Sequence, residues 1–265
     1  MSIIDISIWR LIAGYSLLAA PLGIILWMRL PLLGETLSAV VRMTLQLLFV
    51  GFYLQVIFDL DNAWLTGAWV MVMILVADLS IARGCRLRMS RLAGGLFWAL
   101  SAGTFIPLAF FVVVVLGGTE ALSAQYVIPI GGMILGNCLR ADIIGIRAFY
   151  ESLQENEKAY LLSLAQGATL KEALAPFMRE SLQAALAPTI ATIATIGLVS
   201  LPGMMTGVIL GGGDPMTAIK YQIAIMIAIY AGTAITVLLA IRLTARRNFT
   251  PQGTLDRGLF PEEQT

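Results

Sequence analysis

The chain has 265 residues, of which 58% are apolar and only 12% are charged, and its net charge is +1. Soluble domains are about 45–50% apolar and about 25% charged, so this composition excludes an ordinary soluble protein and indicates a membrane protein. The chain contains no histidine, which excludes His-ligated metals and imidazole-based catalysis. Its near-neutral charge gives no reason to expect a nucleic-acid partner.

Nucleotide-binding and redox motifs are missing from the sequence. No GxxxxGK(S/T) run is present, so we expect this chain itself to bind no ATP, magnesium ion or other cofactor. Cys85 and Cys138 lie far apart in the sequence and form no CxxC pair.

Apolar segments of membrane-spanning length recur along the chain. A transmembrane helix needs about 20 mainly apolar residues. The sequence has seven such segments, at 8–28, 36–58, 64–82, 96–116, 127–146, 186–210 and 216–243. We therefore predict an all-α polytopic membrane protein with about seven transmembrane helices, forming a single transmembrane domain over residues 1–247. The polar residues 248–265, with several Pro and Gly, are predicted to form a disordered tail.

The positions of Lys and Arg predict the orientation, because cytoplasmic connections carry an excess of these residues. With the N-terminus outside and the C-terminus inside, most of the 17 basic residues fall on the cytoplasmic side. They cluster at 83–91, between 147 and 179, and from 242 onward. The opposite side carries mainly acidic residues, namely Asp59, Asp61, Glu120 and Asp214.

The longest cytoplasmic connection, residues 147–185, is predicted to form a helical hairpin. Gly167 suits the end of its first helix, and Ala168 completes a tight turn. Thr169 and Glu172 have the spacing of a capping box, which starts the second helix. The hairpin is either a solvated connection or a coupling element that docks onto a separate ATPase.

Helix-breaking residues occur in the fifth and sixth segments. We predict that both segments are interrupted, and that the interruptions meet in the outer half of the membrane and line a substrate pathway. The candidate residues are Pro129, Gly131, Gly132, Met133, Asn137, Ser200, Pro202, Gly203, Met204, Met205 and Thr206. The alternative is that these glycines allow close helix packing and the methionines fill gaps.

Four ionisable residues and one glutamine form a predicted inner charge cluster: Arg42, Gln46, Asp78, Arg140 and Asp142. Charges inside a membrane are costly, so such groups face the helix bundle and pair. We predict an ion pair between Arg42 and Asp78, with Arg140 and Asp142 nearby. The cluster is either an inner gate, a structural ion pair or a set of side chains that extend to the lipid headgroups.

Several of these runs resemble the FetB-type family of ABC permeases. They are Arg42-x-x-x-Gln46-Leu47, VIPIGGMILGN at 127–137, GLVSLPGMMTG at 197–207 and GDPxxAIKYQ at 213–222. This family is linked to iron efflux, and its plant relatives to aluminium tolerance.

The resemblance covers about residues 36–242. It implies a multi-pass permease in the bacterial inner membrane that exports iron or another metal ion. It also implies a permease homodimer surrounded by membrane lipids, coupled through Gly167, Ala168, Thr169 and Glu172 to a cytoplasmic ABC ATPase that binds ATP and Mg²⁺.

Three other classes of protein share some of these features. An ion-gradient-driven secondary transporter suits interrupted helices equally well, but it needs no ATPase. A seven-helix photoreceptor is disfavoured because Lys220 and Asp78 lie near opposite membrane faces. A membrane enzyme is disfavoured because no nucleophile–base pair is apparent. The residues alone identify neither the substrate nor a metal site.

Overall fold

The computed structural model describes residues 6–60, 62–85, 87–117, 122–250 and 253–259. Within these ranges the chain forms helices and no extended strand. The first span, α1, is Ile8–Trp27, in which a 3₁₀ turn at Tyr15–Leu18 joins two α-helical pieces. The other helices are α2 (Leu33–Leu60), α3 (Ala63–Gly84), α4 (Met89–Phe110), α5 (Ala124–Glu155), α6 (Glu157–Ala165), α7 (Leu170–Thr195), α8 (Gly203–Leu210) and α9 (Pro215–Asn248).

Six helices of the described chain are long and apolar enough to cross a membrane. They are α1, α2, α3, the segment Gly94–Leu116 of α4 and its π-helical extension, α5 and α9. They coincide with six of the seven predicted segments and confirm the all-α polytopic fold. The remaining segment, 186–210, is not one helix, because α7 ends at Thr195 and α8 begins only at Gly203.

Helices α3, α4, α5 and α9, with the first half of α7, form the core. Small residues bring α4 and α9 together at their crossing. A Cβ atom added at Gly103 would lie 2.7 Å from Thr236 Cβ, and one added at Gly232 would lie 2.6 Å from the Gly103 carbonyl oxygen. Small residues at crossings allow backbones to approach closely in a membrane, where lipid gives no hydrophobic drive for helix association.

Helices α1 and α2 lie at the edge of this core. No residue of α1 is buried, and Ile57 is the buried residue of α2. Ile57 packs with Ala124 and Ile128 at the start of α5, and the tilted rings of Tyr53 and Trp69 contact each other with centroids 4.0 Å apart. The first half of α2 therefore lies outside the core, where Thr44 is hydrogen-bonded to the Tyr15 hydroxyl of α1 and large apolar side chains such as Leu45 and Leu48 face outward.

The described part of the predicted tail is ordered, which differs from the expected disorder. Phe249 pairs with Leu255, and the Arg88 N–H donates to the Leu259 carbonyl at 2.9 Å. Leu259 is fully buried, and the Tyr160 hydroxyl donates to the Gly253 carbonyl. Although this segment is polar overall, its apolar side chains Phe249, Leu255 and Leu259 pack with the helix core. Residues 251–252 and 260–265 lie outside the described structure.

Candidate functional site

The hairpin predicted at 147–185 has the local structure that its sequence predicts. Helix α6 ends at Ala165, and Gly167 has a φ of +94°, which glycine adopts without strain. The Gly167 N–H donates to the Leu164 carbonyl at 3.0 Å, and the Ala168 N–H donates to the Ser163 carbonyl at 3.1 Å. This pair of bonds is a Schellman motif, and it reverses the chain at the tip of the hairpin.

The capping box at the start of α7 is complete. The Glu172 N–H donates to Thr169 Oγ1 at 3.3 Å, and the Thr169 N–H donates to Glu172 Oε2 at 2.8 Å. The Thr169 hydroxyl also donates to Glu172 Oε2, at 2.7 Å. These hydrogen bonds, from the Thr169 side chain first and its backbone second, lower the pKa of the exposed Glu172 carboxyl.

The base of the hairpin is fixed while its tip is open. The Tyr160 ring lies edge-on to Phe177 and Phe249, with centroids 6.2 Å and 6.1 Å away, and burial raises the pKa of its hydroxyl. At the tip, Leu162 and Leu170 are 58% and 38% exposed on either side of the Gly167 turn. The hairpin thus presents exposed apolar side chains at the tip of an element whose base is packed.

The interruption predicted in the sixth segment is present. Residues 196–202 leave the helical conformation between α7 and α8. Gly197 has a φ of +85°, and its N–H donates to the Ser200 carbonyl at 2.9 Å. Helix α8 then starts at Gly203, where the Thr206 N–H donates to the Pro202 carbonyl at 3.0 Å.

A cavity of about 460 Å³, named here the outer pocket, lies between this interruption and α9. Pro202 and Met205, two of the residues predicted to line a substrate pathway, line this cavity. Gln222 on α9 also lines it; this side chain is 7% exposed, and its Oε1 atom has no hydrogen-bond partner. Sequence reasoning did not assign Gln222 to the pathway, although it is the last residue of the GDPxxAIKYQ run. Ser200, Gly203, Met204 and Thr206 lie on the same connection and α8 but do not line this cavity.

The predicted interruption of the fifth segment is wrong, because α5 is continuous from Ala124 to Glu155. Pro129 lies near the start of the helix, where the missing N–H removes a single backbone bond. A Cβ atom added at Gly132 would lie 3.2 Å from Met73 Cε, and one at Gly131 would lie 3.4 Å from Leu108 Cδ2. These glycines pack α5 against α3 and α4, and Met133 packs against the core.

A second cavity, named here the inner cleft, separates α5 from α7 and has a volume of about 130 Å³. Its polar lining is Asn137 and Arg140 from α5 and Thr189 and Thr192 from α7. Met226 on α9 lines both the inner cleft and the outer pocket. The two cavities are therefore neighbours, and together they follow the seam between α5, α7 and α9.

The two charges that α5 contributes to the predicted inner cluster face different surroundings. Residues two apart on a helix do not share a face. Arg140 is exposed in the inner cleft, whereas Asp142 is fully buried. Asp142 Oδ2 accepts a hydrogen bond of 2.8 Å from Thr236 on α9, and its Oδ1 has no hydrogen-bond partner.

The predicted ion pair between Arg42 and Asp78 is not formed in the described chain. Arg42 and Gln46 lie in an open surface groove of α2, and Asp78 is buried in α3 with its Oδ1 unpartnered. The reason is the attachment of α2, which contacts the core only near Ile57. Its inner half is left beside the bundle, so Arg42 does not reach Asp78.

No group of three or more Cys, Asp or Glu residues that is suited to hold a metal ion occurs in the described ranges. The structure thus brings together Asn137 and Arg140 in one cavity and Pro202 and Met205 in the next. It separates both sets from Arg42, Gln46 and Asp78.

Comparison with known proteins gives the family. Residues 8–249 match the family described as "Uncharacterised protein family (UPF0014)". A Synechocystis protein named "UPF0014 membrane protein slr1647" is 36% identical over 89% of this chain and 91% of its own. The Escherichia coli protein named "Probable iron export permease protein FetB" is 37% identical over 86% of each chain.

A plant relative is also similar. The Arabidopsis thaliana protein named "Protein ALUMINUM SENSITIVE 3" is 29% identical over 88% of this chain and 84% of its own. No solved structure matches the chain. The family match covers nearly the whole chain, and the structure has several helices of membrane-spanning length. The chain is therefore a multi-pass membrane protein that belongs to the UPF0014 family.

Proposed function

We propose that this chain is the membrane permease of an ATP-driven exporter whose ATPase is a separate cytoplasmic subunit. The observation that carries the proposal is the hairpin tip, where Leu162 and Leu170 are exposed beside the Gly167 turn. Exposed apolar side chains on a rigid cytoplasmic element mark a surface that a partner covers. The E. coli relative, named as an iron export permease, supports a metal as the exported cargo.

We expect movement of the hairpin tip to be transmitted to the helices that line the cavities. Helix α5 leads into α6 with one residue between them, and α7 begins directly after the Gly167 turn. The same two helices form the walls of the inner cleft. A partner that moves the hairpin would change the separation of α5 and α7, which opens or closes the cleft.

The assembly follows from the family resemblance. Two ATPase subunits enclose ATP and Mg²⁺ between them, and each requires a permease, so we propose a permease homodimer in the bacterial inner membrane. The open face of α2 with Arg42 and Gln46 supports a protein neighbour, because an unpaired charge that faces lipid is costly.

The test is co-purification of the ATPase with variants of the hairpin tip. Gly167→Val forces a β-branched residue to a φ of +94° and should abolish ATPase recovery, although the variant remains in the membrane. Gly167→Asn is the matched control, because Asn tolerates left-handed backbone, and it should retain most of the recovery. Equal recovery with both variants, together with full transport, would show that the tip is not the docking element.

An ion-gradient-driven secondary transporter is the second candidate. The broken α7–α8 connection beside a cavity favours it, because discontinuous helices form the binding sites of many such transporters. Transport by the purified chain in ATP-free liposomes under an ion gradient would establish this candidate and exclude the ATP-driven one.

A further inference from the structure

Arg140 is the charged residue in the lining of the inner cleft, and the described lining includes no carboxylate. Arg140 has no hydrogen-bond or ion-pair partner within the described chain, although it lies in the apolar span predicted at 127–146. Asp142, the nearest acidic residue in sequence, is turned away and held by Thr236 in the core. The Arg140 charge is therefore not neutralised by any residue of the described ranges.

Asn137 and Thr189 supply further donors to the cleft, whereas the Thr192 hydroxyl donates to the Pro188 carbonyl at 2.9 Å. The Asn137 side-chain amide uses one N–H on the Met133 carbonyl at 2.8 Å, which leaves its second N–H available. Thr189 faces the same cavity from α7. A planar guanidinium has five N–H donors whose spacing matches the oxygens of carboxylates and phosphates.

An unpaired arginine within a membrane requires water or a counter-ion, because burial of the bare charge costs several kcal/mol. A bare metal cation would be repelled by Arg140, and the described residues provide no carboxylate cluster to hold one. An anion of a few heavy atoms fits both the charge and the volume of about 130 Å³.

We propose that the inner cleft binds an oxyanion, a phosphate or carboxylate group, through Arg140, Asn137 and Thr189. The identity of the cargo rests on the proposed exporter function. For an exporter, this site implies that the cargo is an anion or a metal ion carried as an anionic complex. A larger cargo extends past Met226 into the outer pocket, which is mostly apolar and offers about 460 Å³.

The test measures the charge preference of the cleft directly. Thr192→Cys is introduced on the cleft wall after Cys85 and Cys138, both buried, are replaced by Ala. The chain in neutral-lipid nanodiscs is labelled with two methanethiosulfonate reagents. The sulfonatoethyl reagent is negatively charged, and the trimethylammonioethyl reagent is positively charged. For each reagent, the labelling rate at Thr192→Cys is divided by its labelling rate at Gln154→Cys. Gln154 is an exposed residue near the end of α5.

The normalised rates should favour the negative reagent by about threefold to tenfold, as expected for one charge within several ångströms of a partly solvated thiol. Arg140→Gln should bring the ratio close to one, and Arg140→Lys should preserve it. An unchanged ratio in Arg140→Gln, or faster reaction of the positive reagent, would overturn the proposal.

Inorganic phosphate distinguishes a free anion from a lipid headgroup. Phosphate should slow labelling at Thr192→Cys in the chain with Arg140 and leave the Arg140→Gln variant unaffected. Slowing by phosphatidylglycerol in the nanodisc, with no effect of phosphate, would assign the cleft to lipid and overturn the cargo statement. Slowing by neither anion would overturn the oxyanion site. The labelling needs no ATPase, so its result is independent of the co-purification test.

Discussion

Thr236 donates a hydrogen bond of 2.8 Å to Asp142, and both side chains are fully buried between α9 and α5. The bond lies on the core side of α5, away from the face that carries Arg140. It joins the two long helices beside their close contact at Gly145 and Val237, where an added Cβ would approach within 2.7 Å. Helices α5 and α9 are therefore joined by both a buried hydrogen bond and close packing, and α7 forms the opposite wall of the inner cleft.

Loss of this bond should destabilise the protein measurably. Thr236→Val leaves both Asp142 oxygens without a donor among the described residues. We expect the free energy of unfolding to fall by about 1–2 kcal/mol, which is the upper range for interhelical hydrogen bonds in membranes. Thr233→Val is the matched control, because the Thr233 hydroxyl bonds only to the Ile229 and Tyr230 carbonyls of its own helix. Reversible unfolding in mixed detergent micelles measures both variants, and equal losses would contradict a special role for the Asp142 bond.

Gln222 should affect transport more than stability. Its buried Oε1 has no partner, and an unsatisfied buried polar atom costs about 1–3 kcal/mol. Gln222→Leu removes that penalty, so we expect unfolding stability that is equal or higher, together with reduced transport because the outer pocket loses its polar side chain. Thr233→Val, which alters a buried polar group outside both cavities, should leave transport near its original rate. Lower stability with normal transport in Gln222→Leu would show that the glutamine is only structural.

The Glu172 cap should make the start of α7 sensitive to acid. Hydrogen bonds from Thr169 lower the pKa of the Glu172 carboxyl in the folded protein, so its stabilisation is fully present above the ordinary Glu pKa of about 4.3. The stabilisation is lost as the pH falls through the lower, folded value. Hydrogen exchange of the amides of the first turn of α7 should therefore rise at acidic pH relative to neutral pH, after correction for intrinsic exchange. Glu172→Gln should remove most of this dependence, and a persistent dependence in that variant would implicate another group.

The orientation of the chain can be measured by cysteine labelling. The distribution of basic residues predicts position 59 outside and position 169 in the cytoplasm. In intact cells, a membrane-impermeant reagent should modify Asp59→Cys and spare Thr169→Cys until the cells are opened. External labelling of Thr169→Cys would invert the topology and remove the basis for a cytoplasmic docking hairpin.

Features that depend on neighbouring residues in sequence could be predicted well. Apolar length alone identified the spanning helices, since each must satisfy its own backbone hydrogen bonds in lipid. The turn at Gly167, the capping box of Thr169 and Glu172, and the interruption before Gly203 are also local. Each depends on the backbone preferences of a few consecutive residues, and these preferences follow from the residue types in the sequence.

Features that depend on which helices touch could not be predicted in this way. The sequence placed Pro129 in a break and Arg42 beside Asp78, whereas α5 is continuous and the inner half of α2 lies outside the core. A proline near a helix start removes only one bond, and depth in the membrane does not specify a partner helix.

The sequence by itself determined that this is a multi-pass helical membrane protein with a capped helical hairpin, because composition and local backbone chemistry are sufficient for both. Only the tertiary structure decided that Arg140 and Asp142 have opposite surroundings, and that Met226 joins the inner cleft to the outer pocket. The rotation of each helix about its axis sets these relationships, and that rotation results from close packing at Gly103, Gly145 and Gly232 across three helices.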